Sequence, residues 1–179
     1  TGREDVWANA AATVGVDSKI LYLEFGVFEG YSIGWFSRHL SHPESRFYGF
    51  DSFEGLPEDW GNKPKGTFST RGLIPAIEDT RVHFVKGWFH DTLPDFAADG
   101  TDFDAVIVHM DAGLYSSTLF VLSQLWAKYD SFHVIFDEFI SHECRALYNF
   151  SQAFPCEIIF RSHDEEDPTR VLCQITRQR

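Results

Sequence analysis

The sequence predicts an α/β fold: a mostly parallel sheet with helices on both faces. Short apolar runs rich in β-branched and aromatic residues recur along the chain, and longer segments with helical spacing separate several of them. The length of 179 residues suits one domain, residues 1–179, with a single sizeable core.

The runs lie at residues 19–25, 46–50, 82–86, 104–109, 132–136, 156–160 and 170–175, which makes seven strand candidates. The early ones are apolar without strict alternation, as expected of strands covered on both faces. Between residues 114 and 128, Leu114, Leu119, Leu122, Leu125 and Trp126 fall near one helical face, with Ser116, Ser117 and Thr118 in the first turns. Residues 31–40 and 141–154 read as two more helices. Residues 58–73 break this rhythm, since Gly61, Pro64, Gly66 and Gly72 mark a long polar loop, and such loops are usually functional or mobile. The last two strands are separated only by the acidic turn at residues 163–168, so the seventh is expected to run antiparallel to the sixth.

Composition narrows the class. Apolar residues make up 44% and charged residues 23%, which is globular rather than disordered or fibrous. With 15 Lys and Arg against 27 Asp and Glu, the net charge of −12 argues against nucleic acid or an anionic membrane as a partner. No stretch approaches the roughly 20 apolar residues of a membrane span. Residues 1–16 lack the pattern of a signal peptide, so a cytoplasmic protein is expected. Cys144, Cys156 and Cys173 are odd in number and form no CxxC pair, which fits buried thiols better than disulfides or zinc.

In an open α/β sheet the loops after the strands form the binding crevice, so the residues at each strand end are the candidates. The first strand runs into Glu24-Phe25-Gly26-Val27-Phe28-Glu29-Gly30-Tyr31-Ser32. Gly26 and Gly30 permit a sharp turn and close ligand approach, and the following helix offers free N–H groups. A dinucleotide site would need glycine where Phe28 stands, so another small ligand is favoured. The bland alternative is a turn whose glycines serve packing. Asp51 ends the second strand at the distance where a carboxylate meets ribose hydroxyls, or else caps a turn.

The fourth strand ends in His109-Met110-Asp111-Ala112-Gly113 and the fifth in Ile135-Phe136-Asp137-Glu138. Adjacent strand ends lie roughly 5 Å apart. Asp111, Asp137 and Glu138 would therefore repel one another without a compensating cation, for which Mg²⁺ or Ca²⁺ is the chemical match. Otherwise Glu138 faces solvent and Asp111 caps the helix near Leu114. Gly30-Tyr31-Ser32-Ile33-Gly34 matches the serine hydrolase elbow G-x-S-x-G, but Ser32 falls inside the helix start rather than directly after the strand. Residues 61–67 have the glycine spacing of a P-loop without its lysine or its preceding strand. His109, His133 and His142 near the crevice read as hydrogen-bonded wall residues rather than bases.

Four blocks carry a resemblance: Leu23-Glu24-Phe25-Gly26-Val27-Phe28-Glu29-Gly30, Gly49-Phe50-Asp51-Ser52-Phe53-Glu54-Gly55-Leu56-Pro57, Gly87-Trp88-Phe89-His90-Asp91-Thr92-Leu93-Pro94, and His109-Met110-Asp111 with Leu114-Tyr115-Ser116-Ser117-Thr118. In order and spacing, over residues 21–154, the sequence resembles the macrocin O-methyltransferase family of class I S-adenosylmethionine-dependent methyltransferases. The resemblance implies a Rossmann-like sheet of order 3-2-1-4-5-7-6 with strand 7 antiparallel. It implies that the methionine part of S-adenosylmethionine lies against Glu24, Gly26, Phe28, Gly30, Tyr31 and Ser32, with the ribose on Asp51. The adenine would lie near Ser52, Phe53, Gly87, Trp88 and Phe89. It further implies a divalent cation, usually Mg²⁺, on Asp111, Asp137 and Glu138, with Asp111 also as the base. Two positions depart from the family pattern: Gly113 stands for a second aspartate, and Glu138 for the second member of an Asp-Asp pair.

The expected activity is methyl transfer to a hydroxyl of a small molecule, such as a sugar. Residues 1–18 leave little chain to cover the acceptor. The cover would come from residues 58–73 or from a second subunit of a homo-oligomer, or the site is open. The alternatives are a catalytically inactive cofactor-binding domain acting through a partner, and a serine hydrolase using Ser32.

Overall fold

The computed structural model describes residues 2–178. Among them the elements follow in the order α1 (Arg3–Val14), β1 (Ile20–Phe25), α2 (Tyr31–His39), β2 (Arg46–Asp51), β3 (Val82–Lys86), α3 (Phe89–Thr92), β4 (Ala105–Met110), α4 (Tyr115–Lys128), β5 (Ser131–Phe136), α5 (His142–Ala153), β6 (Cys156–His163) and β7 (Val171–Arg177). The strands form one sheet in the order β3-β2-β1-β4-β5-β7-β6. The pairs β5/β7 and β6/β7 are antiparallel and the other pairs parallel. Each of the seven apolar runs is a strand, and the final hairpin has the expected sense.

Side-chain alternation explains why the early strands read as continuously apolar. All six residues of β1 are buried. Leu21, Leu23 and Phe25 enter one core, where Val121, Leu122 and Leu125 of α4 and Phe150 of α5 meet them. Ile20 and Tyr22 point to the opposite face, into a second core with Val6 and Trp7 of α1 and Ile33 and Phe36 of α2. Each such side chain contributes about 1.5–3 kcal/mol through removal from water. Both faces are therefore covered, and the strands lack a solvent side.

α1 was not expected from the sequence. It buries Val6, Trp7, Ala10 and Ala11 in a narrow strip, with little contrast between that strip and the rest of the helix. The packing of Trp7 holds it, for its ring lies edge-on to Trp35 and to His109, at 5.6 Å in each case. None of the helices among the described residues is long and apolar enough to cross a membrane.

The long loop after β2 is not slack. Leu56 N donates to Thr67 O at 2.9 Å, Gly66 N to Leu56 O at 2.9 Å and Gly72 N to Phe53 O at 2.9 Å. Trp60 and Lys63 exchange both backbone hydrogen bonds, at 2.8 and 2.9 Å, in a tight turn at the tip. These bonds fix where the tip lies.

Gly49 in β2 shows how closely the sheet is packed. A methyl group there would stand 2.7 Å from Val27 Cγ2, 3.1 Å from Phe84 Cδ1 and 3.3 Å from Ile33 Cδ1. Gly49→Ala is expected to lower stability by about 1–3 kcal/mol through overpacking. Urea titration measures the loss, and unchanged stability would mean that Val27, Phe84 and Ile33 make room freely.

Candidate active site

The chain gathers its chemistry at the carboxyl ends of five neighbouring strands, β3, β2, β1, β4 and β5. Gly26 N donates to Phe50 O at 3.0 Å, Asp111 N to Phe25 O at 3.0 Å, Asp137 N to Met110 O at 3.1 Å, and Gly87 N to Asp51 O at 3.0 Å. Each loop thus starts tied to the strand beside it. Above them opens a cavity of about 1180 Å³, lined among others by Gly26, Asp51, Trp88, Asp111, Asp137 and Glu138. Ordinary ligand pockets run to roughly 1,000 Å³, so this one has room for two ligands side by side.

Its floor is the turn after β1. Gly26 has a φ of 95°, and a side chain on it would overlap the backbone carbonyl of Asp111. Only glycine lets these two strand ends meet. Asp51 secures the turn, because its Oδ2 accepts from Val27 N at 2.8 Å and Phe28 N at 3.0 Å, and its Oδ1 from Phe53 N at 2.7 Å. Phe28 and Phe53 both sit in the left-handed region, with φ of 51° and 60°. Such strain costs on the order of 1–3 kcal/mol per residue and persists where surrounding bonds impose it. The expected ribose carboxylate is therefore first a clamp on its own loops. Lone-pair capacity remains for a diol, since an ionised carboxylate accepts about four hydrogen bonds.

Beneath the floor lies a buried polar layer on the α1/α2 face. Glu24 and His109 are register partners on β1 and β4, and both are fully buried. Tyr22 Oη donates to Glu24 Oε2 at 2.5 Å, Ser32 Oγ donates to Glu24 Oε1 at 2.9 Å, and Tyr22 Oη lies 2.8 Å from His109 Nδ1. His109 Nε2 lies 3.3 Å from Asp137 Oδ1. Because the Tyr22 proton goes to Glu24, its oxygen accepts from Nδ1–H, while Nε2–H donates to the Asp137 carboxylate. Both ring nitrogens are donors, so His109 is an imidazolium. Burial alone would lower its pKa, but the Asp137 and Glu24 carboxylates outweigh this and raise it to about 10. In return, although burial raises Asp137, His109 holds it below the usual carboxylate range.

Asp111 has no such partner. Its side chain opens onto the cavity yet is ringed by protein elsewhere; burial, then the Asp137 charge, push its pKa up to about 7. Glu143, buried at the start of α5, is raised well above the carboxylate range by the same causes, burial and then Asp111. The cluster thus divides into ionised Asp137 and groups driven toward the neutral form.

Several expected site residues lie elsewhere. Glu24 is buried with both oxygens taken, so it supports the floor and does not face a ligand. Ser32 spends its hydroxyl on Glu24 rather than on a histidine, and the hydrolase geometry does not form. Gly30 packs under Pro75, 3.0 Å from a methyl placed on it, which gives that glycine a packing role. Tyr31 turns to Glu4 and Trp7 at the surface. Phe53 is buried, and Phe53 and Gly87 are not among the cavity-lining residues. Phe28, Ser52, Trp88 and Phe89 do line the cavity. None of His109, His133 and His142 lines the cavity; His109 is fully buried and hydrogen-bonded beneath its floor. The sequence reading missed Arg3, Trp60, Lys63 and Phe68, which also line it. The only signal for the last three was the glycine-rich loop that carries them.

The expected metal centre does not assemble. Among the described residues no group of three or more His, Cys, Asp or Glu side chains could hold a metal ion. Asp137 is bonded to His109, Glu138 faces Lys63 Nζ at 4.0 Å, and the Trp60 ring covers Gly113, 3.2 Å from where a Cβ would stand.

Residues 67–155 match the model of the macrocin-O-methyltransferase family. The resemblance to the macrocin O-methyltransferases is borne out. Demethyldecarbamoylnovobiocin O-methyltransferase of Streptomyces niveus is 28% identical over 109 residues, which is 50% of this chain and 40% of that relative. The chain therefore matches less than half of its relative's length. The solved O-methyltransferase NovP superposes with a TM-score of 0.63 at 22% identity, covering 99% of this chain and 79% of NovP. TomG from Streptomyces achromogenes, an O-methyltransferase of tomaymycin synthesis solved with S-adenosylmethionine, gives 0.58 at 17% identity, covering 99% and 81%. These establish the class I methyltransferase fold with its strand order.

Asp51→Ala would leave three loop amides without their acceptor. We expect a loss of about 1–3 kcal/mol of stability in ligand-free protein, measured by urea unfolding; a residue serving only a ribose would leave stability unchanged.

Proposed function

We propose that the chain, acting as one domain, is an S-adenosylmethionine-dependent O-methyltransferase that methylates a hydroxyl of a small molecule, with Asp111 as general base. The observation that carries this is the Asp111 carboxylate, exposed in a cavity large enough for two ligands and beside the glycine floor at Gly26. The match to the macrocin-O-methyltransferase family model and the O-methyltransferase relative support the reaction class.

Gly26, Asp51, Ser52, Trp88 and Phe89 would hold the cofactor: Gly26 lets it reach the backbone, Asp51 offers its remaining lone pairs to the ribose, and the two aromatic rings flank the base. When bound, the cofactor supplies an electrophilic methyl group on a sulfonium. Asp111 takes the proton of the acceptor hydroxyl, and a base with a pKa near the working pH combines ionised population with proton affinity. Trp60, Lys63 and Phe68 also line the cavity and would bound the space left for the acceptor. Much of the remaining catalysis is alignment of oxygen, methyl and sulfur, which a rigid floor provides. No step here passes through a divalent ion.

Calorimetric titration with S-adenosylhomocysteine tests the cofactor site without knowledge of the acceptor. Saturable binding of one equivalent is expected, and its absence would remove the methyltransferase reading. Once an acceptor is found, Asp111→Asn should lower turnover about 10²–10⁴-fold while S-adenosylhomocysteine affinity stays within a few-fold. Turnover of the unaltered protein should rise with pH through about 7, as Asp111 ionises. Turnover that is flat across that range would contradict the base assignment.

A further inference from the structure

The carboxylates at the strand ends need positive charge, and besides Arg3 and Arg170 on the cavity wall two cations pair with them directly. His109 meets Asp137 from below, through the sheet. From above comes Lys63, at the tip of the loop after β2. Its Nζ lies 4.3 Å from the ring centroid of Trp60 and 4.7 Å from that of Phe68, and 4.0 Å from Glu138 Oε1. An ammonium between two aromatic faces is attracted to both. The tight turn that joins Trp60 to Lys63 makes one unit of the two. Trp60 in turn rests on Gly113, its ring atoms 3.2–3.3 Å from where a side chain would begin.

We infer that the Trp60–Lys63 turn occupies the place of a divalent cation in this site: Trp60 fills the space over Gly113, and the caged Lys63 ammonium is the charge that faces Glu138. A small ordered ion would need Asp111, Asp137 and Glu138 to turn together on one point, but Asp137 and Glu138 face protein cations instead. The ion pair itself stabilises the fold little, since both partners are half-exposed. What it fixes is where charge stands relative to the base. Gly113 matters for the same reason, because any side chain there would lift Trp60 and with it Lys63.

This replacement of an ion by a side chain rests on the methyltransferase reading, but its test does not depend on that reading. Chelator-treated full chain is titrated with Mn²⁺ alone, followed by electron paramagnetic resonance, with and without S-adenosylhomocysteine. The unaltered protein should show no saturable Mn²⁺ uptake at millimolar ion in either case. Lys63→Met should gain uptake, tighter by roughly tenfold or more, as expected for removing one positive charge about 4 Å from a carboxylate. Lys63→Arg keeps the charge and should stay silent. Stoichiometric Mn²⁺ binding by the unaltered protein that disappears in Asp137→Asn would overturn the inference. So would a Lys63→Met protein, folded by circular dichroism, that takes up no more Mn²⁺ than the unaltered chain. Failure to bind S-adenosylhomocysteine would instead strike the methyltransferase reading and leave the ion result standing.

Discussion

The arrangement rests on a buried imidazolium. His109 sits on the central strand pair, facing the α1/α2 core, where an unpaired charge would cost several kcal/mol. It is tolerable there because Asp137 and the Tyr22–Glu24 pair surround it with acceptors. The same bonds tie the ends of β1, β4 and β5 to one another and fasten the start of α2 through Ser32. Trp7 closes the layer from outside, which gives α1 its place in the fold. Removing any member would strand a charge in a dry region, so the layer is either complete or broken.

From that layer follows the asymmetry of the site above. His109 keeps Asp137 ionised, and the Asp137 charge then acts on Asp111, which burial has already disfavoured as an anion. One carboxylate is fixed as a counter-charge while its neighbour is left near neutral pH, poised to exchange a proton. Two carboxylates on adjacent strands thereby take different tasks. A chain of net charge −12 concentrates acid here beside four cations, His109 paired with Asp137, Lys63 with Glu138, and Arg3 and Arg170 on the cavity wall.

Much of this was legible in the sequence. Strands buried on both faces announce themselves as unbroken apolar runs, and each of the seven runs formed a strand. Strand-end logic brought Gly26, Asp51, Asp111, Asp137 and Glu138 to one cavity. What failed was side-chain direction. Glu24 lies one residue before the end of β1 and points into the core face with Tyr22, a fact set by register and not by its neighbours in sequence. Gly30 and Ser32 follow the same turn but serve packing and the polar layer. α1 escaped notice because its helical face shows little contrast in composition and is fixed by one tryptophan. Trp60 and Lys63 were beyond reach, since only the loop's own hydrogen bonds determine where its tip comes to rest. The sequence led to the expectation of a divalent cation at these carboxylates; the structure places His109 beside Asp137 and Lys63 beside Glu138.

The direct measurement is the protonation state of His109, read by nitrogen-15 NMR of its imidazole with His109→Gln to assign the signal. A doubly protonated ring that persists past pH 9, in keeping with a pKa of about 10, is the expected result. A neutral ring at pH 8, titrating near the ordinary histidine value of about 6.5, would contradict it. The buried charge layer, and with it the division of labour between Asp137 and Asp111, would then have to be abandoned.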